Sequence, residues 1–113
     1  MMTFNATLQI NNDIAKIKLS GELDAMTAPI FKTEVDKAAS FGVKYLVLLM
    51  QNLEYMSSAG LRVLIFAKQK MGVNVDIYVV GAQEMVISTL KKTGFDQSVI
   101  LVDEDKTIEL ESA

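Results

Sequence analysis

Tyr45-Leu46-Val47-Leu48-Leu49-Met50, then Gln51-Asn52-Leu53-Glu54-Tyr55-Met56, then Ser57-Ser58-Ala59-Gly60-Leu61-Arg62-Val63-Leu64: within this stretch the chain passes from strand to helix. The first six residues are the most apolar run in the sequence. With Val43 ahead of them they lack polar alternation beyond Lys44, the pattern of a central strand covered on both faces. After the serines, Leu61, Leu64, Ile65 and Lys68 repeat at helical spacing, with Val63 and Phe66 widening the apolar arc. A helix is expected from about Ala59 to Met71, with Gly72 as its stop. Between strand and helix the chain is expected to turn over a few residues, with Tyr55 and Met56 in the loop. A serine at such a helix mouth can cap the helix, act as a nucleophile or carry a phosphate. The residues alone leave all three open.

Working outward, Phe4, Ala6, Leu8 and Ile10 alternate with polar residues, as do Ala15, Ile17 and Leu19. Asn11-Asn12-Asp13 between them is a turn cluster, so the two runs predict a β-hairpin. Ser20-Gly21-Glu22-Leu23-Asp24 reads as a second turn. A helix then starts near Thr27 with Pro29 in its first turn, burying Phe31, Val35, Ala38 and Ala39. Beyond Gly72, Val75, Ile77 and Val79 predict a strand. Glu84 to Lys92 predicts a helix with Val86, Ile87 and Leu90 inward and Gly94 as its end. Val99 to Val102 predicts a last strand, and Asp103 opens a short helix containing Ile108 and Leu110. The order ββαβαβαβα predicts one α/β domain over 1–113, with a mixed, mostly parallel sheet, an N-terminal hairpin and helices packed on it.

Composition narrows the chemistry. The formal net charge is -3, and the 11 basic residues are scattered, which argues against a nucleic-acid partner. The tight pairs Lys68/Lys70 and Lys91/Lys92 sit late in predicted helices, where cations suit the dipole. There is no cysteine and no histidine, which removes thiolate sites, the commonest metal ligand and the usual general base. No cofactor or metal is expected. The N-terminus has no basic and apolar leader pattern, and no run reaches the length of a membrane helix. The default expectation is a cytoplasmic protein.

A serine nucleophile needs a neighbouring base. None is placed beside Ser57 or Ser58, and neither a Gly-x-Ser-x-Gly elbow nor a glycine-rich phosphate loop occurs. An aspartate-phosphorylated receiver would need an acid where the strand ends in Leu48-Leu49-Met50-Gln51-Asn52. The chain is therefore not expected to be an enzyme. A phosphoserine switch fits better, because a helix start tolerates the added charge whereas a docked apolar or acidic partner does not.

At these residues the sequence resembles a known family. Met56-Ser57-Ser58-Ala59-Gly60-Leu61, with the hairpin before and the helices after, looks like the STAS domain of bacterial anti-sigma factor antagonists, whose phosphoserine segment usually reads Asp-Ser-Ser/Ala-Gly-Leu. Ser58 falls on its phosphoacceptor and Gly60 on its glycine. Gly21-Glu22-Leu23-Asp24-Ala25-Met26-Thr27-Ala28-Pro29 resembles the family's first loop, and Asp24 matches its aspartate near the phosphoserine. Asp24, Met26, Met56, Ser57, Ala59, Gly60 and Arg62, in or beside these two segments, are the expected partner-binding residues, since methionine suits an adaptable contact surface and Arg62 can meet a phosphate or a partner. The resemblance implies a cycle: the unphosphorylated domain binds a serine-kinase anti-sigma factor and frees a sigma factor, phosphorylation of Ser58 ends binding, and a phosphatase resets it. Ser57 stands where an aspartate often precedes the acceptor, and Leu49 where the central strand often carries one. Losing both carboxylates makes the site less acidic. The alternatives are a STAS docking subunit of a transport or signalling assembly that is never phosphorylated, and a small-ligand binder or enzyme using the space near Asp24 and Ser58.

Overall fold

The computed structural model describes residues 4–104. Five strands form one sheet in the order β1-β2-β3-β4-β5. They are β1 (Asn5–Asn11), β2 (Ile14–Leu23), β3 (Tyr45–Met56), β4 (Asp76–Val80) and β5 (Ile100–Val102). Helices α1 (Ala28–Ser40), α2 (Ser58–Met71) and α3 (Glu84–Thr93) join successive strands from β2 onward, and a short 3-10 turn, Phe95–Ser98, precedes β5. The expected hairpin is present: β1 and β2 pair antiparallel, and Asn12 turns the chain at φ 54, a conformation asparagine tolerates. The remaining pairings are parallel. The expected helix around Ile108 and Leu110 lies outside the described residues.

Strand order explains where the helices lie. Each parallel crossover steps one strand in the same direction, and right-handed crossovers then put every connecting helix on the same face. That face holds the main core. Ala15, Ile17 and Leu19 of β2, Leu46, Leu48 and Met50 of β3, and Ile77 and Val79 of β4 meet Phe31, Val35, Leu64, Val86 and Leu90 from the helices. The other parity of side chains forms a smaller cluster on the opposite face, where Ile14, Val47 and Val80 are buried among Tyr45, Leu49, Tyr78 and Val102. Both faces of β3 are thus apolar through Met50, as its sequence predicts.

Beyond Met50 the expectation of a turn is wrong. β3 continues to Met56, and β2 continues through Gly21 and Glu22 to Leu23. The two stay paired, Gly21 with Leu53, Glu22 with Tyr55 and Leu23 with Met56. Pairing slips between Lys18 and Ser20 and again between Gly21 and Glu22, and each slip gives β3 one residue more than its partner. These are β-bulges. Each restores the inward direction after a step of three, so Leu53 and Met56 both reach the main core, while Gln51, Asn52, Glu54 and Tyr55 are exposed. Gly21, at φ 90, supplies a conformation that side-chain-bearing residues avoid.

Candidate functional site

The paired ends of β2 and β3 build the site. The Ser57 N–H donates to the Leu23 carbonyl at 2.8 Å, so the residue after β3 is held level with the last residue of β2. The loop after β2 and the mouth of α2 therefore lie side by side, at the carboxyl end of the parallel strands.

The loop is internally fixed. Asp24 Oδ1 accepts from the N–H groups of Met26 at 2.9 Å and Thr27 at 3.0 Å. The Thr27 hydroxyl accepts from the Asp24 N–H and donates to the Glu22 carbonyl, both at 2.9 Å. The Asp24 carbonyl receives the Ala28 N–H at 2.8 Å and so starts α1. Asp24 is consequently a loop organiser, its half-buried carboxylate already engaged, rather than a free acid aimed at Ser58. Thr27 carries a sequence signature for this role, a hydroxyl three residues after an aspartate, beyond its place at a helix start. The result is presentation of Met26, 84% exposed, beside exposed Ala25, Pro29 and Ile30.

At the mouth of α2, Ser57 is the N-cap residue and Ser58 the first helical residue, one earlier than expected. Ser58 is exposed. Ser57 has extended backbone, φ -84 and ψ 176, yet its side chain makes no capping bond. Its Oγ is buried and has no hydrogen-bond partner. The Leu61 N–H reaches the Ser57 carbonyl at 3.1 Å. The N–H groups of Ser58, Ala59 and Gly60 precede the first intrahelical acceptor and stay available. No acidic residue occupies the first turn of α2, so nothing there opposes the positive end of its dipole.

The remaining expected site residues divide by burial. Arg62 is exposed and Ala59 half-buried. Met56 is 2% exposed, and Gly60 is buried as well. A Cβ on Gly60 would stand 2.6 Å from Leu23 Cγ and 2.9 Å from Met56 Cγ. The close approach that a glycine in a helix's first turn suggests is thus an internal one, between α2 and the ends of β2 and β3. Met56 and Gly60 set the height of the helix mouth from below and do not form its outer surface. Tyr55, 39% exposed, is a strand residue rather than a loop residue, paired with Glu22 next to the site. Leu49 is on the face away from the helices and roughly 20 Å up the strand from Met56. It lines a depression of about 130 Å³ with Thr7, Gln9, Lys16 and Lys18. An acid there would not neighbour Ser58, so of the two departures from the family pattern only Ser57 bears on the site.

Ser58 thus opens α2 next to the first loop, and the elements that meet there carry exposed side chains: Met26 on the loop, Ile30 on α1, Tyr55 on β3 and Arg62 on α2. Lys32 of α1 sits 4.4 Å over the Phe66 ring of α2 and ties the two helices together. Among the described residues no cluster of three or more acidic, histidine or cysteine side chains is placed to hold a metal. None of the described helices is long and apolar enough to cross a membrane.

Comparison with known proteins agrees with this arrangement. Residues 5–110 match the STAS domain family. The chain is 23% identical over 96 residues to the anti-sigma-F factor antagonist RsfB of Mycobacterium tuberculosis, covering 85% of this chain and 79% of that one. An anti-sigma factor antagonist from Mycobacterium paratuberculosis superposes with a TM-score of 0.83 at 21% identity, over 97% of this chain and 93% of that chain. The antagonist SpoIIAA in its unphosphorylated form superposes with a TM-score of 0.79 at 15% identity, covering 97% and 95%. The phosphorylated form of SpoIIAA, the Bacillus cell fate determinant, gives 0.73 at 15% identity, over 97% and 98%. A match along nearly the whole length, on a sheet and helices in the expected order, places the chain in the STAS domain family.

Proposed function

We propose that this chain is an anti-sigma factor antagonist, switched by phosphorylation of Ser58. Unphosphorylated, it docks on a serine-kinase anti-sigma factor through the loop after β2, the mouth of α2 and the exposed side chains between them, and so releases a sigma factor. The kinase transfers the γ-phosphoryl group of ATP to Ser58. A bond forms between Ser58 Oγ and the phosphorus, the bond from that phosphorus to the bridging oxygen breaks, ADP leaves, and the hydroxyl proton passes to a base on the kinase. A phosphatase returns the serine by hydrolysis. The chain is the substrate in this cycle, not the catalyst, and its place is the cytoplasm, with the sigma factor.

The observation that carries the reading is the exposed Ser58 hydroxyl at the start of α2, held level with an ordered loop. The added charge of about -1.5 to -2 sits where the helix dipole and free N–H groups favour it. The domain stays folded, while Met26, Ile30 and Tyr55 beside it lose their value as a docking surface. Incubation with a serine-kinase anti-sigma factor and ATP, read by intact mass, tests this. One phosphate, absent from Ser58→Ala, is expected; modification that persists in Ser58→Ala refutes it. A second reading, a STAS docking subunit that is never modified, draws on the same apolar surface, which needs no phosphate to bind. Stable complex formation with no phosphate uptake would favour it.

A further inference from the structure

We infer that the Ser57 hydroxyl is a positioning group for the phosphorylated state: it donates a hydrogen bond that holds the phosphoryl group of Ser58 against the mouth of α2. The inference deepens the proposed switch and rests on Ser58 as its phosphoacceptor. It begins from an unsatisfied group. Ser57 Oγ is buried, without a partner. Burying a hydroxyl with no bond is destabilising, and such groups are rare in folded proteins. Ser57 has the extended backbone of a capping residue, so the helix's own N–H groups are within its ordinary reach, yet the bond is not made. A hydroxyl that accepted one of them would still hold an unspent proton. In this state the hydroxyl has neither a donor nor an acceptor beside it, and because the atom is closed to solvent it changes rotamer to meet a group carried by Ser58.

Phosphorylation supplies one. The phosphoryl group on the next residue brings three strong acceptor oxygens to the place where α2 presents the N–H groups of Ser58, Ala59 and Gly60. The hydroxyl then meets an anionic acceptor, and such bonds are about twice as strong as neutral ones. An aspartate at this position would do the opposite, accepting from the helix and repelling the phosphate. Ser57 therefore converts the residue before the acceptor from an opposing charge into a donor. Ser57→Thr preserves the group, Ser57→Ala removes it, and Ser57→Asp reverses its sign.

The test places phosphoserine at position 58 during translation of the full chain, so that it does not depend on a kinase. The second ionisation of the phosphate is then followed by phosphorus NMR against pH. A donor favours the dianion, so Ser57 and Ser57→Thr should share the lowest midpoint. Ser57→Ala should move up by about half a unit and Ser57→Asp further. Thermal melting of the unphosphorylated proteins gives the structural control. With an unpartnered hydroxyl, Ser57→Ala should melt no lower than the parent. A Ser57→Ala titration that overlays the parent overturns the inference. A lowered melting point with an unchanged titration does too, since it makes Ser57 only a helix cap. If phosphoserine insertion disrupts folding, Ser58→Cys provides a second route, because the chain has no other thiol: after folding, its thiolate displaces bromide from a bromoalkyl phosphonate, and the attached phosphonate is titrated in the same way. Failure of the switch would appear separately, as a kinase that leaves Ser58 unmodified, with the titration still read on its own.

Discussion

Gly60→Ala is the substitution whose outcome the structure fixes most tightly, because two effects of opposite sign meet there. Taken alone, alanine in a helix gains up to ~1 kcal/mol over glycine. The new methyl, however, would stand 2.6 and 2.7 Å from Leu23 Cγ and Cδ2 and 2.9 Å from Met56 Cγ. Leu23 is 0% and Met56 2% exposed, so neither side chain has solvent to swing into. Overpacking of this kind costs about 1–3 kcal/mol. The clash should win, for a net loss of about 1–2 kcal/mol and a Tm fall of roughly 4–8 °C. Urea denaturation with unchanged slope is the assay. The cycle with Leu23→Ala separates the terms. Leu23→Ala by itself should cost about 2–5 kcal/mol. With that space open, Gly60→Ala should become neutral or stabilising by up to ~1 kcal/mol. If Gly60→Ala stabilises the parent protein, or costs the same in both backgrounds, then the contact of α2 with β2 does not set the position of Ser58.

Ser58→Asp should fold with little change in Tm and bind the anti-sigma kinase at least about 100-fold more weakly, since ~3 kcal/mol is a modest penalty for desolvating a charge in an interface; isothermal titration against the wild type checks both halves. Asp24→Ala removes an acceptor that holds two backbone N–H groups, and should cost about 1–2 kcal/mol in chemical denaturation while weakening partner binding by loosening Met26. Tyr78 carries a hydroxyl whose pKa is raised above 10.0, first by desolvation, then by the charges of Asp76 and Tyr45. The unfolded chain then loses its proton first, so stability should fall as pH rises from about 10 toward the folded value, and Tyr78→Phe should flatten that part of the stability–pH curve.

Much of this fold is legible in the residues. The hairpin, three helices and the β3 run declare themselves through period, turn residues and glycine stops. The failure lies in one place, and its cause is the spacing of the apolar residues. Leu46, Leu48 and Met50 are two apart, whereas Met50, Leu53 and Met56 are three apart, which resembles neither a strand nor a helix of useful length. Bulges produce that spacing, and no local propensity marks them. Gly21, Glu22 and Asp24 added a second false signal, because residues common in turns here sit in or just after a strand. Burial was hidden for a related reason. Met56 and Gly60 lie beside Ser58 in sequence, so each is a candidate for either the contact surface or an internal contact, and only the pairing of β2 with β3 shows that they face inward. The engagement of Asp24 with its own loop is a property of backbone geometry and had no signature beyond its nearness to Thr27.

The two slips in β3 also bear on how such a domain can diversify. In an unbroken strand, every outward position is answered by an inward one. Between Met50 and Met56, four outward side chains, Gln51, Asn52, Glu54 and Tyr55, accompany one inward residue, Leu53. Under the docking proposed above, substitutions at Asn52, Glu54 and Tyr55 would change recognition while the packing beneath α2 goes untouched. Recognition and foldability would then be uncoupled along this rim, and selection could act on one with little consequence for the other.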